Sequence, residues 1–224
     1  MASSLKPIQV HGKGGPNPPK VMIILKELDL PYEIMDTGFA DIKKPEYLAV
    51  NPNGRLPAIY DPNTDLTLWE SGAIVEYLVE TYDKDNKISF PKGSNASYLT
   101  KQWLYFQTTG QGPYYGQAVW FTRNHPDKTA IERYVKEINR VTGVVESHLA
   151  AQKEKNSGGD GPWLVGNKIT FADLAWYMWQ VMVVRAIPDQ IIDYTQYPNV
   201  KEWIDKLTAR PSVDFALELV KKLN

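Results

Sequence analysis

The sequence predicts an α/β domain followed by an all-helical domain. Three observations carry this reading. Short strand patterns alternate with helical patterns through the first third of the chain. Apolar periodicity then lapses over Glu80–Lys87 and gives way to the Gly/Ser/Asn-rich stretch Pro91–Ser97. Beyond Ser97 only helical spacing remains. The α/β domain is placed at residues 1–86, the helical domain at 95–224, and the linker around 83–97.

Taken in order, Pro7–His11 reads as a first strand. The run Gly12-Lys13-Gly14-Gly15-Pro16-Asn17-Pro18-Pro19 has to turn sharply, and proline is favoured in a first helical turn. A helix over Lys20–Leu28 follows, with Val21, Ile24, Leu25 and Leu28 at helical spacing. Tyr32–Asp36 is the next strand, and Lys43–Val50 a short helix or turn. Ala58–Asp61 and Thr67–Leu68 are two strands joined through the turn signal Asp61-Pro62-Asn63. Glu70-Ser71-Gly72 opens a helix whose inner face is predicted to hold Ala73, Ile74, Tyr77 and Leu78.

The later helices are predicted over Tyr98–Arg123, His125–Lys155, Phe171–Val184, Tyr197–Ala209 and Ser212–Leu223. Pro113 should break or kink the first of them, with Gly110 and Gly112 softening it. Asn156–Gly161 is a loop. Thr170 and Asp173 have the spacing of a capping box, with Ile169 and Leu174 placed for a hydrophobic staple. The role predicted for Asp173 is therefore folding, not chemistry.

Composition excludes several functions. A net charge of −1 gives no footprint for nucleic acid or an anionic membrane. The chain has no cysteine, so disulfides, thiolate metal sites and an enzyme thiol are ruled out. No apolar run approaches the roughly 18 residues of a membrane span, and the N-terminus lacks an apolar signal core. A cytoplasmic protein is the expectation. His11, His125 and His148 are scattered without ligand spacing, so no metal site is expected. Gly12–Gly15 lacks the Gly-Lys-Ser/Thr of a phosphate-binding loop.

The chemistry concentrates in Asn51–Ser71. Pro57 cannot donate to a ladder and belongs at a strand start, so the backbone of Leu56 just before it is free to pair with an extended peptide. Glu70-Ser71 puts a carboxylate and a hydroxyl at a helix N-terminus, where unpaired N–H groups favour an anion. Together they suit a free amino-acid end, which carries both charges.

This run resembles the glutathione-binding motif of the cytosolic glutathione transferases. The resemblance extends over nearly the whole chain and is nearest to fungal transferases similar to the globular domain of the yeast nitrogen-catabolite regulator. It is carried by Pro16-Asn17 with Lys20-Val21, by Lys44-Pro45-Glu46-Tyr47 with Val50-Asn51-Pro52-Asn53, and by Leu68–Ile74. Trp103–Thr108 with Gly116-Gln117-Ala118, and Pro162–Asp173, extend it through the helical part. It implies a thioredoxin-like domain followed by a helical-bundle domain, a cis bond before Pro57, and a cytoplasmic homodimer. Glutathione would be a cosubstrate, with no permanently bound cofactor. The implied activity is conjugation of the glutathione thiolate to electrophiles in detoxification, with possible reduction of organic hydroperoxides. The regulator's prion-like N-terminal extension has no counterpart in this sequence, which favours the enzyme expectation. The alternative is a non-catalytic binding or regulatory protein.

The implied glutathione contacts are Asn17, Lys44, Arg55, Leu56, Pro57, Glu70 and Ser71. The catalytic position departs from the better-known classes, which carry Tyr, Ser or Cys after the first strand; here the loop has only Gly, Lys, Pro and Asn. Asn17 falls where the resembling fungal proteins have an asparagine at the glutathione sulfur, with Lys13 as the cationic rival. Its amide can donate to a thiolate but cannot take its proton; the alternative role for Asn17 is a helix N-cap. Ile42 stands where several classes have a glycine-binding histidine, so that contact is lost or moved to Lys43 or Lys44. The acceptor pocket is expected between the domains, lined by Gln107, Gln111, Tyr114, Tyr115 and Trp120, each equally at home in a core or dimer contact.

Overall fold

The computed structural model describes residues 5–12, 14–156, 158–187 and 191–222. Lys13 and Leu223 lie outside these. Two compact units emerge. One comprises residues 1–87 with 210–224, the other residues 88–209.

The first unit is a four-stranded sheet with helices. Its elements are β1 (Ile8–His11), α1 (Asn17–Glu27), β2 (Tyr32–Met35), α2 (Pro45–Leu48), β3 (Ala58–Asp61), β4 (Leu66–Trp69) and α3 (Ser71–Tyr82). The sheet order is β2-β1-β3-β4; β1 runs parallel to β2 and antiparallel to β3, and β3 is antiparallel to β4. β1-α1-β2 is thus a parallel crossover. α1 buries Val21 to Leu25 without a break, and it packs against α3. On α3 the buried positions are Ile74, Val75, Leu78 and Val79. Ala73, expected on that face, is exposed, and Tyr77 is half-buried. The stripe is rotated because Tyr77, with Tyr82, donates to the fully buried Asp61 carboxylate at the end of β3. Asp61 Oδ1 also accepts from the Asn63 N–H at 2.9 Å, closing the predicted turn.

The last helix, α9 (Pro211–Lys222), follows the helical segment in sequence but packs on α1 in the first unit. The reason is a buried carboxylate. Glu27, at the end of α1, accepts from Arg210 Nε at 2.8 Å, from Arg210 Nη2 at 2.7 Å and from the Ser212 hydroxyl. Burial pushes the Glu27 pKa up, but the bonds from Arg210 and Ser212 outweigh it and hold the carboxyl below its usual range. A lowered carboxylate pKa gives stability that is present above the unfolded value, 4.5, and is lost as pH falls through the folded one. Glu27→Gln is expected to cost roughly 1–2 kcal/mol at neutral pH, discounted because Arg210 is partly exposed. Melts across pH test this: the gap between wild type and variant should close below about pH 4, and a gap that persists unchanged in acid would refute it.

The second unit is helical: α4 (Asn95–Phe106), α5 (Gly112–Asn124), α6 (Lys128–Lys155), α7 (Phe171–Ala186) and α8 (Pro198–Thr208). Between α4 and α5 the chain stays helical through a π-turn, Gln107–Gln111. Pro113 lacks the N–H that would continue the α-helical ladder, and the Gly112 N–H reaches back five residues to the Gln107 carbonyl. The expected interruption is therefore a widened turn. Thr170 is the N-cap of α7 and forms the predicted reciprocal capping box with Asp173. Among the described residues no helix is long and apolar enough to cross a membrane.

Candidate functional site

The sheet register gathers the key residues of the first unit. His11 at the end of β1 pairs with Ala58 at the start of β3, and Ala58 pairs with Trp69 at the end of β4. The next residues outward are Gly12, Pro57 and Glu70, so three chain reversals meet along one sheet end. Both ladders of β3 stop at Ala58, leaving Leu56 with no strand partner in the register. The Leu56–Pro57 bond is cis. Gly12 has φ +111° and a side chain there would meet Leu56 Cδ2 at 2.8 Å, so only glycine lets the first loop close over Leu56.

Glu70 caps α3 from a left-handed conformation, φ +69°, which costs a non-glycine residue of order 1–3 kcal/mol and belongs to sites that must hold a side chain in one place. Its carboxylate is exposed and accepts from Asn53 Nδ2 at 3.4 Å. Ser71 is the first residue of α3 and is buried. Asn17 is half-buried at the first position of α1. The boundary residue before α1 is Pro16, and Asn17 is the first helical position. Two positive-end helix N-termini, those of α1 and α3, thus open at the same sheet end as the unpaired Leu56 backbone.

Two residues to which the sequence assigned no role in the site frame this end. Tyr47 OH and Asn51 Nδ2 both donate to the Arg55 carbonyl, each at 2.7 Å, and both side chains are buried. The His11 ring lies against Tyr47, centroids 5.7 Å apart, with its Nδ1 hydrogen-bonded to Thr37 Oγ1 at 3.1 Å. These contacts fix the backbone just before Leu56. A tyrosine inside a four-residue helix and an asparagine before a proline carry no such signal in sequence, because the acceptor is a backbone carbonyl.

The family models now decide the identity. "Glutathione S-transferase, N-terminal domain" matches residues 7–80 and "Glutathione S-transferase, C-terminal domain" matches residues 114–217. The chain belongs to the glutathione S-transferase family. Among relatives of this family, the glutathione S-transferase-like protein tpcF of Aspergillus fumigatus is 62% identical over 93% of this chain and 94% of its own. The protein URE2 of Saccharomyces bayanus is 37% identical over 92% of this chain and 67% of its own. The transferase URE2P8 of Phanerochaete chrysosporium, solved with oxidized glutathione, superposes with TM-score 0.87 at 38% identity, over 99% and 98% of the two chains. The fold is accordingly the glutathione transferase fold: a thioredoxin-like domain and a helical one.

Within this family fold, the remaining candidates fall differently. Arg55 is exposed two residues before Pro57. Lys44 is exposed and paired with Asp41 Oδ1 at 2.6 Å, and Lys43 donates to the Asn53 carbonyl at 3.3 Å. In the helical unit Gln107, Gln111 and Tyr115 are fully buried. Gln107 donates to Gln111 at 3.0 Å, Gln111 donates to the Trp176 carbonyl and Gln180 at 3.1 Å each, and Tyr115 is bonded to Thr142 at 3.1 Å. This network holds the π-turn. Tyr114 is half-buried near Tyr134, and Trp120 is exposed against Phe121. No grouping of metal-ligating side chains occurs among the described residues.

Proposed function

We propose that this protein conjugates the glutathione thiolate to electrophiles and reduces organic hydroperoxides with it. The observation that supports this most is the meeting of Asn17, Leu56-Pro57 and Glu70-Ser71 along one sheet end. In this reading the Glu70 carboxylate takes the γ-glutamyl ammonium, and Ser71 with the α3 N-terminus takes its carboxylate. The backbone of Leu56 pairs with the cysteinyl unit, and Arg55 and Lys44 serve the glycine end. The α1 N-terminus and the Asn17 amide then face the sulfur. A thiol of pKa about 8.5 is only a few per cent ionised at neutral pH, so donors that favour thiolate over thiol raise the reactive fraction. The thiolate forms a bond to the electrophilic carbon, the leaving group departs with its electron pair, and the thiol proton goes to solvent. Acceptor contacts are proposed at Tyr114 and Trp120, with Gln107, Gln111 and Tyr115 shaping the helix that carries them. A cytoplasmic homodimer acting in detoxification completes the proposal. The exposed Tyr98, Leu99 and Tyr105 of α4 support self-association.

A second reading, a glutathione-binding regulator without turnover, is favoured by one observation: the loop between β1 and α1 has no Tyr, Ser or Cys to activate the sulfur. An assay of glutathione with an aryl halide and with an organic hydroperoxide separates the two. Asn17→Ala is expected to lower turnover at neutral pH by roughly tenfold, the equivalent of one pKa unit on bound glutathione. The rate should recover in alkali, where bulk deprotonation replaces activation. Superimposable pH–rate profiles of wild type and variant would place the activating group elsewhere.

A further inference from the structure

We propose that the cavity at the end of α6 is a second binding site, which takes a small organic carboxylate on the indole N–H of Trp163. It does not depend on the glutathione reading. The cavity measures about 430 Å³ and lies between the last turn of α6, the loop leading to α7, and α8, all within residues 88–209. That volume is in the range that holds small organic molecules.

Trp163, in that loop, lines the cavity and is 3% exposed. Its Nε1 is buried with no hydrogen-bond partner; among the described residues no other buried side-chain nitrogen or oxygen is left so. A buried indole N–H normally finds a partner, because a donor stripped of water and left unpaired is costly. The polar side chains around it are already committed. Gln152 Nε2 donates to the Leu164 carbonyl at 3.2 Å, and Asn156 Nδ2 donates to Gln152 Oε1 and to the Gly166 carbonyl at 3.1 Å each. The pyrrole edge of the indole faces Gly161, another lining residue: a side chain there would meet Trp163 Cδ1, the carbon bonded to Nε1, at 3.0 Å. Glycine leaves that edge without a covering side chain. The protein supplies no acceptor for this N–H, so the acceptor comes with a guest of the cavity.

The walls set the sign of the guest. Lys153 pairs with Glu202 of α8 at 2.6 Å, and Lys206, one turn further along α8, brings a second ammonium to the lining. Asp160 of the loop is exposed and outside the lining. Two ammonium groups against one carboxylate leave a net positive charge. A carboxylate answers both the N–H and this charge, whereas an alcohol answers only the first.

The test is an NMR titration of the isotope-labelled chain with benzoate, followed at the Trp163 indole N–H, the resonance absent from Trp163→Phe. Benzoate should move that resonance saturably with a Kd of about 1 mM or tighter, and benzyl alcohol should bind at least about tenfold more weakly. Lys206→Gln should weaken benzoate binding about three- to tenfold and Glu202→Gln should tighten it, because they change the charge of the wall in opposite directions. An indole resonance that stays still at about 10 mM benzoate shows that water alone completes the N–H, and overturns the site. Equal affinity for benzoate and benzyl alcohol overturns the carboxylate assignment, as does a benzoate affinity that neither charge variant moves. If Trp163→Phe does not fold, calorimetry of benzoate on the two charge variants, whose side chains are partly exposed, decides instead.

Discussion

Asp173→Ala lowers the stability of the chain by roughly 3–5 kcal/mol, the scale of removing one partner from a buried charged network. The carboxylate is fully buried and accepts four hydrogen bonds. Oδ1 takes the Leu164 N–H at 2.8 Å and the Trp203 indole N–H at 3.0 Å. Oδ2 takes the Thr170 N–H at 2.8 Å and its hydroxyl at 2.7 Å. Leu164 lies in the loop before α7, Thr170 caps α7, and Trp203 is a fully buried residue of α8. One side chain therefore ties three segments together. Alanine leaves four donors without an acceptor, and each orphaned buried donor costs about 1–3 kcal/mol before relaxation and water entry reduce the sum. Asp173→Asn should recover little, because its NH2 would face donors. Denaturant unfolding followed by tryptophan fluorescence reads the loss; a change under about 1 kcal/mol would mean that solvent or rearrangement replaces the network.

The second large effect is on ligand affinity. Ser71→Ala is expected to weaken glutathione binding by roughly 1–3 kcal/mol, the scale of a lost hydrogen bond to a charged group, which is about 5- to 150-fold in Kd. Glu70→Gln should fall in the same range by losing the partner of the ligand ammonium. The two act on adjacent charges of one amino-acid end, so the double variant should lose less than the two single losses added. Calorimetry on the three variants gives the answer, and unchanged affinity in both single variants would remove the glutathione site from this sheet end.

The strand and helix order of the first unit and the capping box at Thr170 were legible in the sequence. Each depends on local chemistry: periods of two and of 3.6 residues, turn residues, and a hydroxyl three positions from an acid. The strand start after Leu56-Pro57 and the helix start at Glu70-Ser71 were legible for a related reason, since a proline cannot donate to a ladder and an acid–hydroxyl pair suits a helix N-terminus. The widened turn at Gln107–Gln111 was foreshadowed by Pro113, although the sequence specified only an interruption, not the i→i−5 bond that fills it.

What only the tertiary structure decided involves groups far apart in the chain. Glu27 looks like a surface acid at a helix end until Arg210 and Ser212, more than 180 positions later, supply its donors and draw α9 onto α1. Tyr47 and Asn51 become supports of the site because their acceptor is a carbonyl, which every residue has and no sequence marks. Gln107, Gln111 and Tyr115 have the polar and aromatic character of pocket residues, and it is the packing of α7 beside the π-turn that gives them buried partners instead. Lys20 opens the helix read from the sequence, and its burial is a product of how the first unit packs around α1. Local propensity is written in neighbours along the chain, whereas the environment of a charge is set by whatever the fold brings against it.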